Sequence, residues 1–363
     1  MTNAGKVASA AEQNVTITLY KTERACYIYI HIRNHYILSK ESTNMTTKFR
    51  KKPALWIAGI AVCAAGFGVF TLSHSQVAPI AQSGASGSHV IQAVGAENEY
   101  ANVISQIGGK YVSVTGIMDN PNTDPHVYEA STADARLIAE AQLVVENGVG
   151  YDGFVQKLEG ASPSPSRINI NVGSALGYPP DLENPHLWFR PTTMTRVAAL
   201  IAADLGKLDP ADKAYFAHNA RVFDNSLKPW YAAIAQVKRQ FHGAPVAVTE
   251  PVFDYVLQAC GLDIKTPWAF QASVMNGTDP SPQDVQIEEN LLTHHLVKVF
   301  AYNQQTPDST TVELLALAKK YHVATIGVYE TMPLQHTYQT WMMNEVQILR
   351  LALSKGISTE TLS

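Results

Sequence analysis

"DPADKAYFAHNARVFDNSLKPWYAAIAQVKRQF" occupies residues 209–241 and divides the chain beyond residue 88 into two stretches of the same rhythm. Asp209 is placed to cap a helix, and Pro210 falls at the first helical position, where a missing N–H costs nothing. The spacing predicts a helix of about 31 residues, roughly 46 Å at 1.5 Å per residue, kinked near Pro229. Such a helix would cross between two small lobes once, which predicts limited rocking rather than wide hinge closure.

On both sides of it, β-rich runs alternate with helical stretches. Before it come HVIQAV (89–94), YVSVTGIM (111–118), AQLVVEN (141–147) and RININ (167–171), separated by segments such as TADARLIAEA with helical apolar spacing. After it come APVAVTE (244–250), LDI (262–264), LVKVFAYN (296–303) and VATIGVYE (323–330). The pattern predicts an α/β chain of two similar lobes, each with a central, mostly parallel four-stranded sheet, joined by one long helix. The N-terminal lobe spans 89–208, the linker helix 209–241 and the C-terminal lobe 242–363.

Composition fits two globular cores. Of 363 residues, 46% are apolar and 16% charged, with a formal net charge of -4, so no basic surface calls for a nucleic-acid partner and none is expected. Near the N-terminus, KFRKK (48–52) precedes ALWIAGIAVCAAGFGVFTL (54–72), an uncharged run of about 19 residues, long enough to cross a bilayer. Residues 45–73 are therefore read as a signal peptide or signal-anchor beginning at Met45. The basic cluster would stay inside, and residues beyond 73 would be exported. Residues 74–88 read as a flexible linker, and residues 1–44 as a leader outside the working protein. The three cysteines are Cys26, Cys63 and Cys260. Cys260 is the only one in the globular part and reads as a small core residue, so no internal disulfide is expected there. Val62 stands where a lipoprotein box before Cys63 would need a small residue, so lipidation is not expected.

Chemistry-bearing residues gather where predicted strands end, and in open α/β sheets the ligand crevice lies beyond those ends. His126, in NPNTDPHVYEA, follows the second strand, and His186, in ENPHLWFRP, follows the fourth. Glu250 ends PVAVTE and Glu330 ends TIGVYE. Two imidazoles from one lobe and two carboxylates from the other would make a four-ligand metal cage across the cleft. Proline precedes both histidines and stiffens the backbone there. The aromatics that follow, Tyr128 and Trp188, could wall the site from water. Glu97 and Asn98, after the first strand, are candidate outer partners of the ligands.

From about residue 89 onward the chain resembles the zinc and manganese solute-binding proteins of bacterial ABC importers, the cluster A-I or cluster 9 group. The matching segments are IGGKYVSV, DPHVYEAS, NPHLWFRPTTM, LDPADKAYFAHNA, TEPVFDYVLQACGL, VFAYNQQT and VYETMPLQHTYQTWMMNEV, all in the family's order. The resemblance implies His126 as first ligand, His186 as second, Glu250 as third and Glu330 as fourth. At the last position the family usually has aspartate, so the longer glutamate could bind in another mode or through water. The resemblance also implies a periplasmic or extracytoplasmic monomer, released or held at the inner membrane by its N-terminal segment. It would deliver one divalent ion to an ABC permease and ATPase.

Imidazole with carboxylate suits zinc, manganese and ferrous iron. Many zinc-specific relatives place a histidine third and a histidine-rich loop between the first two ligands. Here Glu250 is third and no histidine lies between His126 and His186. Those two features point modestly toward manganese or iron, while the TEP and ET motifs resemble those of zinc-type relatives. Zinc is therefore weighed evenly against manganese and iron combined and is the first choice of single ion. A metal-dependent hydrolase is the rival class, but no His-Glu-x-x-His helix or Gly-x-Ser-x-Gly elbow supports it, and the chain is not read as an enzyme. An adhesin or metal chaperone on the same fold is a third reading.

Overall fold

Apolar central strands flanked by helices pack as parallel sheets covered on both faces, and both lobes are built around such strands. The computed structural model describes residues 15–22, 25–32, 35–41, 90–120 and 128–362. The expected signal segment (45–73), the 74–88 linker and His126 lie outside the described residues. The chain divides into two units, Met1–Ala81 and Gln82–Ser363. In the first, β1 (Val15–Thr22), β2 (Ala25–Ile32) and β3 (His35–Glu41) form an antiparallel sheet in sequential order, structure that the reading of 1–44 as a leader had not assigned.

In the N-terminal lobe the strands are β4 (Ile91–Glu97), β5 (Val112–Met118), β6 (Leu143–Glu146) and β7 (Ile168–Asn171). The connecting helices are α1 (Asn98–Gly108), α2 (Thr132–Glu140) and α3 (Gly153–Ala161), followed by α4 (Val172–Leu176) and α5 (Thr193–Leu208). The C-terminal lobe carries β8 (Pro245–Val248), β9 (Asp263–Ile264), β10 (Val299–Asn303) and β11 (Ala324–Val328), the last two buried throughout.

Both sheets are parallel, with orders β5-β4-β6-β7 and β11-β10-β8-β9. Counted within its own lobe, each runs second, first, third, fourth: the lobes repeat one topology. The order reverses between first and third strands, which puts a crevice beyond the ends of β4 and β6 in one lobe and of β8 and β10 in the other.

The segment between the lobes departs from one continuous helix. Asp209 caps a 3-10 turn, Pro210–Asp212, by accepting the Ala211 N–H at 3.2 Å. Then α6 (Lys213–Ser226) and α7 (Lys228–Phe241), 14 residues each, meet at buried Leu227. The break falls two residues before the expected kink. Pro229 has no N–H to donate and would crowd the carbonyl four residues back, so the helix stops and restarts with proline in the new first turn.

The principal core is continuous through both lobes, containing Ile104 and Trp188 from the first, Trp230 of α7, and Val248 and Trp341 from the second. In the C-terminal lobe, α8 (Asp254–Ala259), α9 (Trp268–Met275), α10 (Pro282–Thr293) and α11 (Ser309–Lys320) connect the strands, and α12 (Tyr338–Lys355) follows β11. Helix α12 packs on α7, and Tyr338 lies edge-on to Trp230 with centroids 6.2 Å apart. Smaller cores sit on the other sheet faces, around Val144 and Phe300. Cys260 is fully buried, as expected for a core residue. The tail covers the β11 edge: Gly327 N–H donates to Thr359 O, and Thr359 N–H to Thr325 O, each at 2.9 Å. Gly327 permits that approach, because a Cβ there would run into the Glu360 carbonyl.

Candidate metal site

His186 is held by the residues around its Asn-Pro step. Asn184 Oδ1 accepts the His186 backbone N–H at 3.0 Å and lies 2.9 Å from ring Nδ1. An oxygen already accepting the backbone N–H faces Nδ1, so Nδ1 carries the proton of the neutral ring and the lone pair is on Nε2. Asn147 Nδ2 donates to Pro185 O at 2.9 Å, and Tyr100 O–H donates to Asn147 Oδ1 at 2.7 Å. The turn that carries His186 is thereby tied to the end of β6 and to α1. Trp188 and Tyr151 stand edge-on to the buried imidazole, with centroids 5.5 and 5.8 Å away.

Glu330 comes two residues after β11 and is fully buried. Its Oε1 accepts the Tyr151 O–H at 2.7 Å, and its Oε2 accepts Asn303 Nδ2 at 2.7 Å. Trp188 Nε1 donates to the Glu330 carbonyl at 3.0 Å. Donors from both lobes thus fix one carboxylate. The Glu330 Oε1 to His186 Nε2 distance is 3.3 Å. With the ring proton on Nδ1, two acceptors face each other there, an arrangement that needs a proton or a cation between them. Ligands bonded to zinc at 2.0–2.2 Å in tetrahedral geometry lie about 3.3–3.6 Å apart, so the spacing fits one shared divalent ion.

Glu250 lies just beyond β8, is 5% exposed, and leads into a 3-10 turn, Pro251–Phe253. Asn184 Nδ2 donates to Pro251 O at 2.8 Å, so the residue that orients His186 also ties down the loop carrying Glu250. Among the described residues no group of three or more metal-ligating side chains converges.

The four candidate outer partners go to different places. Trp188 contacts both His186 and Glu330. Asn98 bridges the lobes: its Nδ2 donates to Met332 O at 2.7 Å, and its Oδ1 accepts the Met332 N–H at 3.1 Å. Tyr128 donates its hydroxyl to Asp134 at 2.9 Å and packs on Phe154, on the α2–α3 side of the N-terminal sheet. Glu97 is fully buried and faces Asp152. Burial, then the Asp152, Glu99 and Glu146 charges, raise its carboxyl well above the ordinary range. Burial, with Glu146, pushes Asp152 up to about 7, and burial pushes Glu99 up to about 8.

Tyr151, Asn303, Asn147 and Asn184 were not singled out from sequence. Asn303 had a signal: it closes the LVKVFAYN run just as Glu250 and Glu330 close theirs. Asn147 likewise closes AQLVVEN.

Two parallel α/β lobes of one topology, with histidine and carboxylate meeting in a buried seam at their strand ends, define the two-lobed solute-binding class. The chain belongs to the family described as "Zinc-uptake complex component A periplasmic", whose sequence model matches residues 94–352. It is 26% identical over 262 residues to the manganese-binding lipoprotein MntA of Bacillus subtilis, covering 68% of this chain and 81% of that protein. Its fold is similar to that of the laminin-binding adhesin Lmb of Streptococcus agalactiae (TM-score 0.62, 18% identity, 73% of this chain and 100% of that one). It is also similar to FpvC of Pseudomonas aeruginosa, solved in complex with Mn2+ (TM-score 0.60, 22% identity, 73% and 98%).

Proposed function

We propose that this chain is the extracytoplasmic binding component of an ABC importer. It captures one divalent transition-metal ion as cargo between lobes 89–208 and 242–363 and delivers it to a membrane permease driven by an ATPase. His126, His186, Glu250 and Glu330 are the ligands. The observation that carries this reading is the buried pair His186 Nε2 and Glu330 Oε1, 3.3 Å apart and supplied by opposite lobes. The family's description as a periplasmic zinc-uptake component supports the same role and compartment. Residues 45–73 would export the protein or anchor it. The protein acts as a monomer and as a carrier rather than a catalyst.

Zinc binds a nitrogen–oxygen donor set more tightly than manganese or ferrous iron by intrinsic affinity. Preference in a test tube therefore does not by itself name the cargo. The test is metal analysis of protein purified without added metal, followed by competitive zinc and manganese titration and transfer to the reconstituted permease. One ion per chain, with metal-dependent stimulation of the permease's ATPase, is expected. Retention of full affinity by both His126→Ala and His186→Ala would overturn the assignment.

A further inference from the structure

A cavity of about 380 Å3 opens at the seam between the lobes, against Asn184. One wall comes from residues 179–184 and the other from α8 and Trp268, at the start of α9. Three acidic residues, Asp181, Glu183 and Asp254, line it, and no basic residue does. Asp254 is only 5% exposed, and its buried Oδ1 has no hydrogen-bond partner among the described residues. Buried polar groups in native proteins are nearly always paired, so this oxygen calls for a donor. Burial pushes the carboxyl up to about 7, with no neighbouring cation holding it down. The nearby Arg190 guanidinium is stacked on the Tyr178 and Tyr255 rings, 5.0 and 5.1 Å from their centroids.

The walls also define the kind of cation. No set of three metal-ligating side chains converges among the described residues, and the volume far exceeds that of one ion. Trp268, 36% exposed, supplies an aromatic surface beside the acids. Guanidinium and alkylammonium groups combine positive charge and N–H donors with a body that packs on an aromatic ring.

We propose that this cavity binds a guanidinium or alkylammonium group, anchored by Asp254, rimmed by Asp181 and Glu183, and packed against Trp268. Occupancy would reach the His186 turn through one wall residue. Tyr255 O–H donates to Asn184 O at 2.8 Å, and the Asn184 side chain holds both His186 and Pro251. The group could come from a free small cation or from a basic side chain of a docking permease; the second source rests on the function proposed above.

The test is calorimetric titration of the full chain with agmatine, for wild type, the isosteric Asp254→Asn and the surface variant Trp268→Ala. Attachment of the same proteins to the permease–ATPase complex in nanodiscs is measured in parallel. Saturable agmatine binding, weakened about tenfold or more by Asp254→Asn, the scale of a lost charged hydrogen bond, supports the site and a free cation. No agmatine binding, but attachment to the permease weakened about tenfold by Asp254→Asn, supports the site and a permease side chain. If Asp254→Asn changes neither, the proposal is overturned. Metal affinity is read on the same samples: a wild type that binds no metal would sink the proposed function and leave the agmatine result standing.

Discussion

In the N-terminal lobe the first and third strands end on Glu97 and Glu146; the equivalent strands of the C-terminal lobe lead to Glu250 and Asn303. Topology is shared, but the fate of the carboxylates differs. No N–H or hydroxyl holds either Glu97 oxygen among the described residues, and burial, with the acids around it, pushes it toward the neutral form. Glu330 receives a tyrosine hydroxyl and an asparagine amide, which favour the charged form that a metal needs. A carboxylate at a strand end is thus a ligand candidate only where donors steady its charge. On that ground the proposed cage would take its anionic half from the C-terminal lobe and its imidazoles from the N-terminal lobe.

The largest expected effect follows directly. Glu330→Gln should weaken metal binding by more than the roughly 10- to 100-fold that outer partners contribute, in a competitive chelator titration. Glu97→Gln replaces a carboxyl already held neutral and should cost less than about tenfold; equal losses in the two variants would break the comparison. Next come the donors that hold Glu330. Asn303→Ala and Tyr151→Phe should each lower affinity about 10- to 100-fold, and Tyr151→Phe keeps the ring against Trp188.

Acid should act oppositely on metal binding and on the stability of the metal-free protein. Imidazole must be neutral to ligate, so affinity should fall steeply below about pH 6, near the ordinary histidine range; a flat profile from pH 5 to pH 8 would argue against two histidine ligands. Stability of the metal-free protein should respond the other way at Glu288, whose carboxyl burial pushes from 4.5 up to about 8. The folded state keeps that proton where the unfolded state has lost it. Its stabilising contribution is full below about 4.5 and is lost as pH rises toward 8. Glu288→Gln should flatten the fall in melting temperature between pH 5 and pH 8 by on the order of a few °C. The bridge between lobes bears on stability rather than on the metal: Asn98→Ala removes two hydrogen bonds to Met332 and should cost about 1 kcal/mol of unfolding free energy.

Much of the fold was legible in sequence. All eight strands of the two lobes lie within three residues of their expected runs; the mostly buried β4, β6, β8, β10 and β11 read as apolar blocks between helices. His186 and Glu330, 144 positions apart, stand out in sequence by their places after strand ends, the proline before His186 and the family resemblance, and they meet in the structure. Tyr151 was not legible: it sits in a glycine-flanked loop, and its hydroxyl matters through a contact 179 positions away. Asn184 hid for another reason. Beside a proline it reads as a turn residue, and its hold on both His186 and Pro251 exists only once the lobes are assembled. The linker break appeared two residues early because proline acts on the helix preceding it.

The central claim is that one divalent ion is shared across the lobes. Anomalous diffraction from crystals grown with zinc or manganese, collected at the edge of the metal used, tests it most directly. A single strong peak within about 2.0–2.3 Å of His186 Nε2 and of a Glu330 carboxylate oxygen is expected. A peak that lies elsewhere, or one that leaves His186 and Glu330 facing each other uncoordinated, would contradict it.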